Sequence, residues 1–599
     1  MSNPMPFAVL LAVVAGCNSP GTNTGDAAPL PHDANVRSDA PAIDTGVPHD
    51  AGPPIDAFST IDAPGSDAFV APIDAYSPPT PDSSVDASSG AVITPDMPGA
   101  SDVRFAIDST AATHPISPYI YGLNAAGDWS TGATITRFGG NRITAYNWET
   151  NASNAGSDYM YENDNFLCSN AGCTAPGETV RRLIADAQAH GGASLIGLQM
   201  AGYVAADEAG PAPMTYTPGS TRFLPAVDHK PTAFTLTPSL TDGHVYEDEF
   251  VNWIEATFPA SRANPTHAVF YQLDNEPDLW SSTHSEIHPA PVTYAEMASH
   301  SISLATAVKN VAPDALVFGF VSYGWAGYAN LQSAPDAGVR DFINFFLDSM
   351  HTAETSAGHR LLDVLDLHWY PEATGGGTRI IDPGSSAALV AARVQAPRSL
   401  WDPSYVETSW ITGCCSGGAI RLIPRVRDQI AAHYPGTRLS FSEYNYGGGG
   451  HISGGIAEAD VLGVFGRENV FAATEWPMSA DESFILGGLR MFRNYDGAHG
   501  HFGDTSITAT SSNTVNTSVY ASVDAGHPER MIVVAINKTG AAVSAGISVT
   551  HTRRFTVAHT YSLTSAGATP VHGADVPITL VNAFVYSMPA YSVTTLVLE

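Results

Sequence analysis

Two glutamates stand where apolar runs turn polar. Phe270-Tyr271-Gln272-Leu273-Asp274-Asn275-Glu276-Pro277 carries Glu276 just past its last apolar residue, and Leu439-Ser440-Phe441-Ser442-Glu443-Tyr444-Asn445-Tyr446-Gly447 carries Glu443 in the same way. Both runs read as buried strands, so each carboxylate closes a strand. Alone, such a Glu is usually a salt-bridge partner or a helix cap. Two carboxyl groups facing each other across a pocket can instead break a glycosidic bond, one protonating the leaving oxygen while the other attacks the anomeric carbon.

Other strand-end residues fit the same chemistry. Asn275 could hydrogen-bond a sugar 2-hydroxyl, and Arg137 could hold Glu443 ionised; a turn residue and a structural ion pair are the plain alternatives. His368 and Tyr370 could hydrogen-bond the carboxylates or the sugar. Trp280, Trp325, Trp369 and Trp476 lie at or just past strand ends, where flat rings could stack on pyranose faces or simply fill the core. Asp158, Glu162 and Asp164 offer oxygen ligands on a loop, which suits a structural calcium as well as it suits a solvated acidic loop. No cofactor is required by two-carboxylate chemistry.

Eight strands must position these residues: Tyr119 to Asn124, Thr134 to Gly139, Ser194 to Met200, Ala268 to Asn275, Leu316 to Tyr323, Val364 to Tyr370, Leu439 to Asn445 and Val470 to Trp476. Helical periodicity separates them over Thr179–His190, Tyr246–Phe258, Thr293–Val311, Arg340–Met350, Ala419–His433 and Glu458–Arg467. This alternation predicts an α/β chain with a (β/α)8 TIM barrel over residues 115–494, Glu276 ending its fourth strand and Glu443 its seventh. A doubly wound sheet would carry a Gly-rich phosphate loop after its first strand, and none is present. From residue 495 to 599 short alternating runs predict an additional all-β sandwich domain, to which residues 101–114 add a strand at Val103 to Ile107.

The N-terminal stretch differs in kind. The apolar run Phe7 to Val14 is too short to span a bilayer, which takes ~20 residues. With Val14-Ala15-Gly16-Cys17 after it, it reads as a lipoprotein-type signal peptide over 1–17, tethering the chain to the surface of a bacterial cell through lipidated Cys17, although no Lys or Arg precedes it. Residues 18–100, rich in Asp, Pro and Ala, read as a solvated spacer. A net charge of −33, from 26 Lys plus Arg against 59 Asp plus Glu, argues against nucleic acid as a partner and for a neutral substrate. Of the other four cysteines, Cys168 and Cys173 suit a local bridge; zinc ligation by the four, Cys414 and Cys415 included, is the weaker alternative, since no Cys-x-x-Cys or flanking His spacing is present.

Taken together, Arg137-Phe138-Gly139-Gly140-Asn141, Tyr146-Asn147-Trp148, Tyr161-Glu162-Asn163, Leu273-Asp274-Asn275-Glu276-Pro277 with Leu279-Trp280, Asp366-Leu367-His368-Trp369-Tyr370-Pro371 and Ser442-Glu443-Tyr444-Asn445-Tyr446-Gly447 resemble glycoside hydrolase family 44, the endoglucanases and xyloglucanases. The resemblance covers most of residues 115–500. It implies a barrel with a β-sandwich, an endo-acting β-1,4-glucanase on cellulose or xyloglucan, retention at the anomeric carbon, Glu276 as acid/base and Glu443 as nucleophile. A monomer is expected. The rival readings are another retaining barrel glycosidase, such as a xylanase or arabinofuranosidase, and a noncatalytic polysaccharide-binding protein.

Overall fold

A computed structural model describes residues 90–599 apart from 126, 169–172 and 218. The apolar run Phe7 to Val14, Cys17 and most of the expected spacer lie outside the described residues. Among the described residues no helix is long and apolar enough to cross a membrane.

Eight parallel strands close into a barrel: β1 (Gly122–Asn124), β2 (Ile135–Phe138), β3 (Ala193–Leu198), β4 (Val269–Leu273), β5 (Val317–Ser322), β6 (Val364–Trp369), β7 (Arg438–Tyr444) and β8 (Ala472–Glu475). They pair in chain order, and β8 closes on β1. All eight expected strands are there, as is each expected helix. Helices Ala387–Gln395 and Ser483–Arg493 were not foreseen.

Strand periodicity explains how one end of the barrel is plugged and the other equipped. Ile135, Leu195, Phe270, Phe318 and Val364 form one apolar cluster with Tyr119 and Phe471 packed against it; Tyr119 meets Phe270 edge-on at 5.0 Å and Phe270 meets Phe318 at 5.5 Å. Two residues further along β2, β4 and β6, on the same inward face, stand Arg137, Gln272 and Asp366. The interior therefore passes from apolar to polar toward the carboxyl ends. Outward positions bind the helical ring: Tyr271 donates to Glu255 at 2.6 Å, and Phe441 stacks on Phe465 at 5.4 Å.

The C-terminal sandwich has its own core, centred on Phe105, Ile107, Val533, Ile547 and Leu596. Val103–Asp108 enters it as expected, antiparallel to Thr505–Ser511 and parallel to Val543–Thr550. The strand Thr505–Ser511 crosses between the layers: its first three residues pair with Ala521–Val523 and its last four with Phe105–Asp108. Barrel and sandwich are joined at buried Asp460, which accepts from Tyr520 at 2.7 Å and pairs with Lys538 at 2.6 Å.

The expected end of the spacer at residue 100 is too late. Ile93 already bridges to His551, Asp96 exchanges hydrogen bonds with the backbone of Val581, and Asp102 does the same with Ser544. Cys168 and Cys173 form the expected disulfide, and the adjacent Cys414 and Cys415 are bonded to each other rather than free for a metal.

Candidate active site

Arg137 ends the inward row of β2 and is fully buried. Its Nε donates to Gln272 at 2.8 Å, one terminal nitrogen donates to Asn124 at 3.1 Å and Glu443 Oε1 at 2.6 Å, and the other donates to Asn275 Oδ1 at 2.7 Å. Two glycines make room for this fork. A Cβ on Gly139 would fall inside the guanidinium, and one on Gly140 would strike the ring of Trp476. Gly140 has φ +85°, and its N–H donates to Asn275 Oδ1 at 3.2 Å.

Glu443 is aimed by a bulge. Leu367 faces Phe441 and His368 faces Glu443, so Ser442 is the extra residue on β7. Ser442 and Glu443 both reach the interior in consequence. Ser442 accepts from Gln272 Nε2 at 2.7 Å, and Gln272 also donates to Asp366 at 2.5 Å. Glu443 Oε2 accepts from the Tyr370 hydroxyl at 2.7 Å. Burial and the nearby carboxylates hold that phenol well above its ordinary pKa, so it stays a donor.

Glu276 is placed by a strained turn. Asp274 and Glu276 have φ +63° and +44°, a conformation non-glycine residues seldom adopt. Buried Asp274 holds it: one carboxylate oxygen accepts from Thr144 and the Asn275 N–H, the other from the N–H groups of Met200 and Ala201. The Glu276 N–H donates to Val321 on β5.

His368 lies between the two carboxylates, its Nδ1 2.8 Å from Glu276 Oε1 and 3.5 Å from Glu443 Oε2. One oxygen of each glutamate and the imidazole nitrogen lie within 4.8 Å of one another. Burial lowers the His368 pKa to about 4, so the ring is neutral at neutral pH. Burial raises Glu276 to about 7; Arg137 opposes the rise and Asp158 adds to it. Glu276 also keeps 21% of its side chain exposed against 6% for Glu443. The group open to a ligand is thus the one that retains a proton, while its partner is held by a guanidinium.

The structure brings Glu276, Glu443, Asn275, Arg137, His368 and Tyr370 together. Trp476, half-buried against Gly140, borders them. Trp280 does not join them: it is buried, donates its indole N–H to the Asn275 carbonyl and packs 5.1 Å from His288. It braces the Asn275-Glu276 turn from behind. Trp369 is likewise buried, and Trp325 lies under the Arg425 guanidinium at 5.2 Å, beside Leu422 in a cavity of about 60 Å³. The expected calcium ligands do not converge either. Arg142 grips both oxygens of Asp164, and among the described residues Asp158, Glu162 and Asp164 form no metal-sized group.

Sequence reasoning missed the supporting layer of Asn124, Gln272, Asp366, Ser442 and Asp274. Polar residues at alternate positions of an otherwise apolar strand were the available signal. It also missed Trp410, 41% exposed, whose side chain bonds Glu372 two residues past Tyr370.

The sequence profile described as Glycoside hydrolase family 44 matches residues 152–373. The chain is 41% identical over 512 residues to an endoglucanase A of Paenibacillus lautus, covering 84% of this chain and 73% of that one. A family 44 endoglucanase from Clostridium thermocellum superposes with TM-score 0.80 at 40% identity, covering 84% of this chain and all of that one. A Paenibacillus polymyxa xyloglucanase of the same family, solved with xyloglucan, has TM-score 0.80 at 39% identity and coverages of 83% and 99%.

Proposed function

The chain belongs to glycoside hydrolase family 44 and is an endo-acting glycoside hydrolase, and on that footing we propose that it cuts β-1,4-glucan backbones, xyloglucan first among them, with retention at the anomeric carbon. The approach of Glu276 and Glu443 to within 4.8 Å carries this reading. Retaining enzymes hold their carboxyl groups about 5–5.5 Å apart, whereas inverting ones keep about 6.5–9.5 Å for a water. In the first step Glu276 protonates the departing glycosidic oxygen while Glu443 attacks the anomeric carbon, forming a covalent glycosyl-enzyme. In the second, Glu276 takes a proton from water, which displaces Glu443. Arg137 and Tyr370 hold the two oxygens of Glu443 in place for the attack. Asn275, its Oδ1 occupied by Arg137 and Gly140, is left to offer its NH₂ to the sugar 2-hydroxyl, and Trp476 to offer a stacking face.

Release of oligosaccharides from xyloglucan, carboxymethylcellulose, xylan and an aryl arabinoside tests the substrate. Internal cuts in the first two support the reading; activity confined to xylan or arabinoside refutes it. We further propose attachment to the cell surface through Cys17, which the lipoprotein-type signal Val14 to Cys17 supports. Cys17→Ser should move the protein out of the membrane fraction, and unchanged partitioning would refute the tether.

A further inference from the structure

Far from the cleft residues in sequence, three metal-type ligands meet at an edge of the sandwich. His559 lies on strand Val557–Thr564, His572 ends the neighbouring edge strand Gly567–His572, and Asp575 follows three residues later. The register brings them together. His572 pairs with Tyr561, which shares a face with His559, while Val576 pairs with Ala558 and so returns Asp575 beside His559. His559 Nδ1 is 3.0 Å and His572 Nε2 is 3.3 Å from the same oxygen, Asp575 Oδ1, and all three ligand atoms lie within 4.8 Å of one another.

We propose that this cluster is a zinc site. Ligands ~2.0–2.1 Å from a tetrahedral Zn²⁺ stand roughly 3.3 Å apart, which two of the three edges already match; the third closes by a side-chain adjustment on an exposed surface. Two imidazoles and one carboxylate suit zinc, whereas calcium and magnesium prefer all-oxygen sets. A carboxylate also addresses the far side of one ligand: Glu599 Oε2 is 3.7 Å from His559 Nε2, within ion-pair reach, as in the carboxylate–histidine–zinc arrangement. Water would fill the fourth position. An ion here ties an edge strand to its neighbour, at the place where a sheet is most open to fraying.

Chelator-stripped full-length protein, titrated with ZnCl₂ by calorimetry at neutral pH, should bind one ion through this cluster. His559→Ala and His572→Ala should each abolish that event, and Glu599→Gln should weaken it about 10- to 100-fold. Hydrolytic activity of His572→Ala should stay at the wild-type level. Because a histidine variant could also disturb the hairpin, zinc-edge anomalous diffraction from wild-type crystals supplies a second measurement, and a peak between His559, His572 and Asp575 is expected. No zinc uptake, no peak there, or uptake that survives both histidine changes but is lost in Glu443→Gln would each overturn the site.

Discussion

Arg137 makes four hydrogen bonds to four different side chains, and only a planar fork can do so. Arg137→Lys would keep the charge and abandon the geometry, leaving the buried Gln272 Oε1 without its donor, at about 1–3 kcal/mol, and Asn275 Oδ1 with the Gly140 N–H alone. We expect kcat to fall about 10²-fold or more together with a lower Tm; wild-type kcat in Arg137→Lys would show that charge alone suffices. On the proposed mechanism Glu276 is the general acid and sets the pH profile. Its acid form is the working form and its pKa is raised to about 7, so kcat/KM should decline as pH rises through about 7. Asp158 contributes to that rise, so Asp158→Asn should move the basic limb to lower pH. A limb unmoved in Asp158→Asn, or moved upward, would contradict the electrostatic account.

Among the elements, the turn after β4 and the bulge in β7 do the positioning, the first through the left-handed backbone of Asp274 and Glu276 and the second through a shift of register. Gly140 shows how little room is left beside them. Gly140→Ala would meet φ +85° and the Trp476 ring at once, costing more than about 1 kcal/mol and raising KM through displacement of the indole. Thermal unfolding and polysaccharide kinetics of this variant measure the two effects, and an unchanged KM would remove Trp476 from the binding surface. The barrel strands were legible because apolar runs ended in polar residues, and Glu276, Glu443, Asn275, Arg137, His368 and Tyr370 were legible because they stood at those ends. Gln272, Asp366 and Ser442 lie within the runs, where period-two alternation hides a polar interior under an apolar exterior. Trp280 and Trp476 occupy similar sequence positions, and only packing separates a brace from a platform. Arg142 is sixteen residues or more from the acidic side chains it neighbours in space, which is why Asp158, Glu162 and Asp164 looked available. Ile93 and Asp96 pair with residues beyond 550, a contact that no local pattern reveals.

For the whole molecule, buried carboxyl groups govern stability. Burial raises Glu276 and Asp278 to about 7 and Glu149 and Glu458 to about 8, against ordinary values of 4.5 for Glu and 3.8 for Asp. The folded chain therefore keeps protons that the unfolded chain releases. Stability from these groups is fully present below their unfolded pKa values and is lost as pH rises through the folded ones. Glu178, lowered to about 2 chiefly by Arg181, acts in the opposite sense and matters only on the acid side. Tm should fall from about pH 5 toward pH 8, in step with the growing repulsion of a chain whose formal net charge is −33. A Tm rising steadily over that interval in differential scanning calorimetry would contradict this.

The division of labour between the two glutamates is tested most directly by azide. Glu276→Ala should slow hydrolysis of substrates with poor leaving groups by about 10²–10⁴-fold while partly sparing activated aryl glycosides, whose departure needs little protonation. With such an activated glycoside, the glycosyl group on Glu443 accumulates for want of a general base. Added azide should attack it from the face opposite the carboxylate, restoring turnover and yielding the β-glycosyl azide, identified by the anomeric coupling in proton NMR. An α-glycosyl azide, or no azide product in Glu276→Ala together with full wild-type turnover in Glu443→Ala, would contradict the assignment.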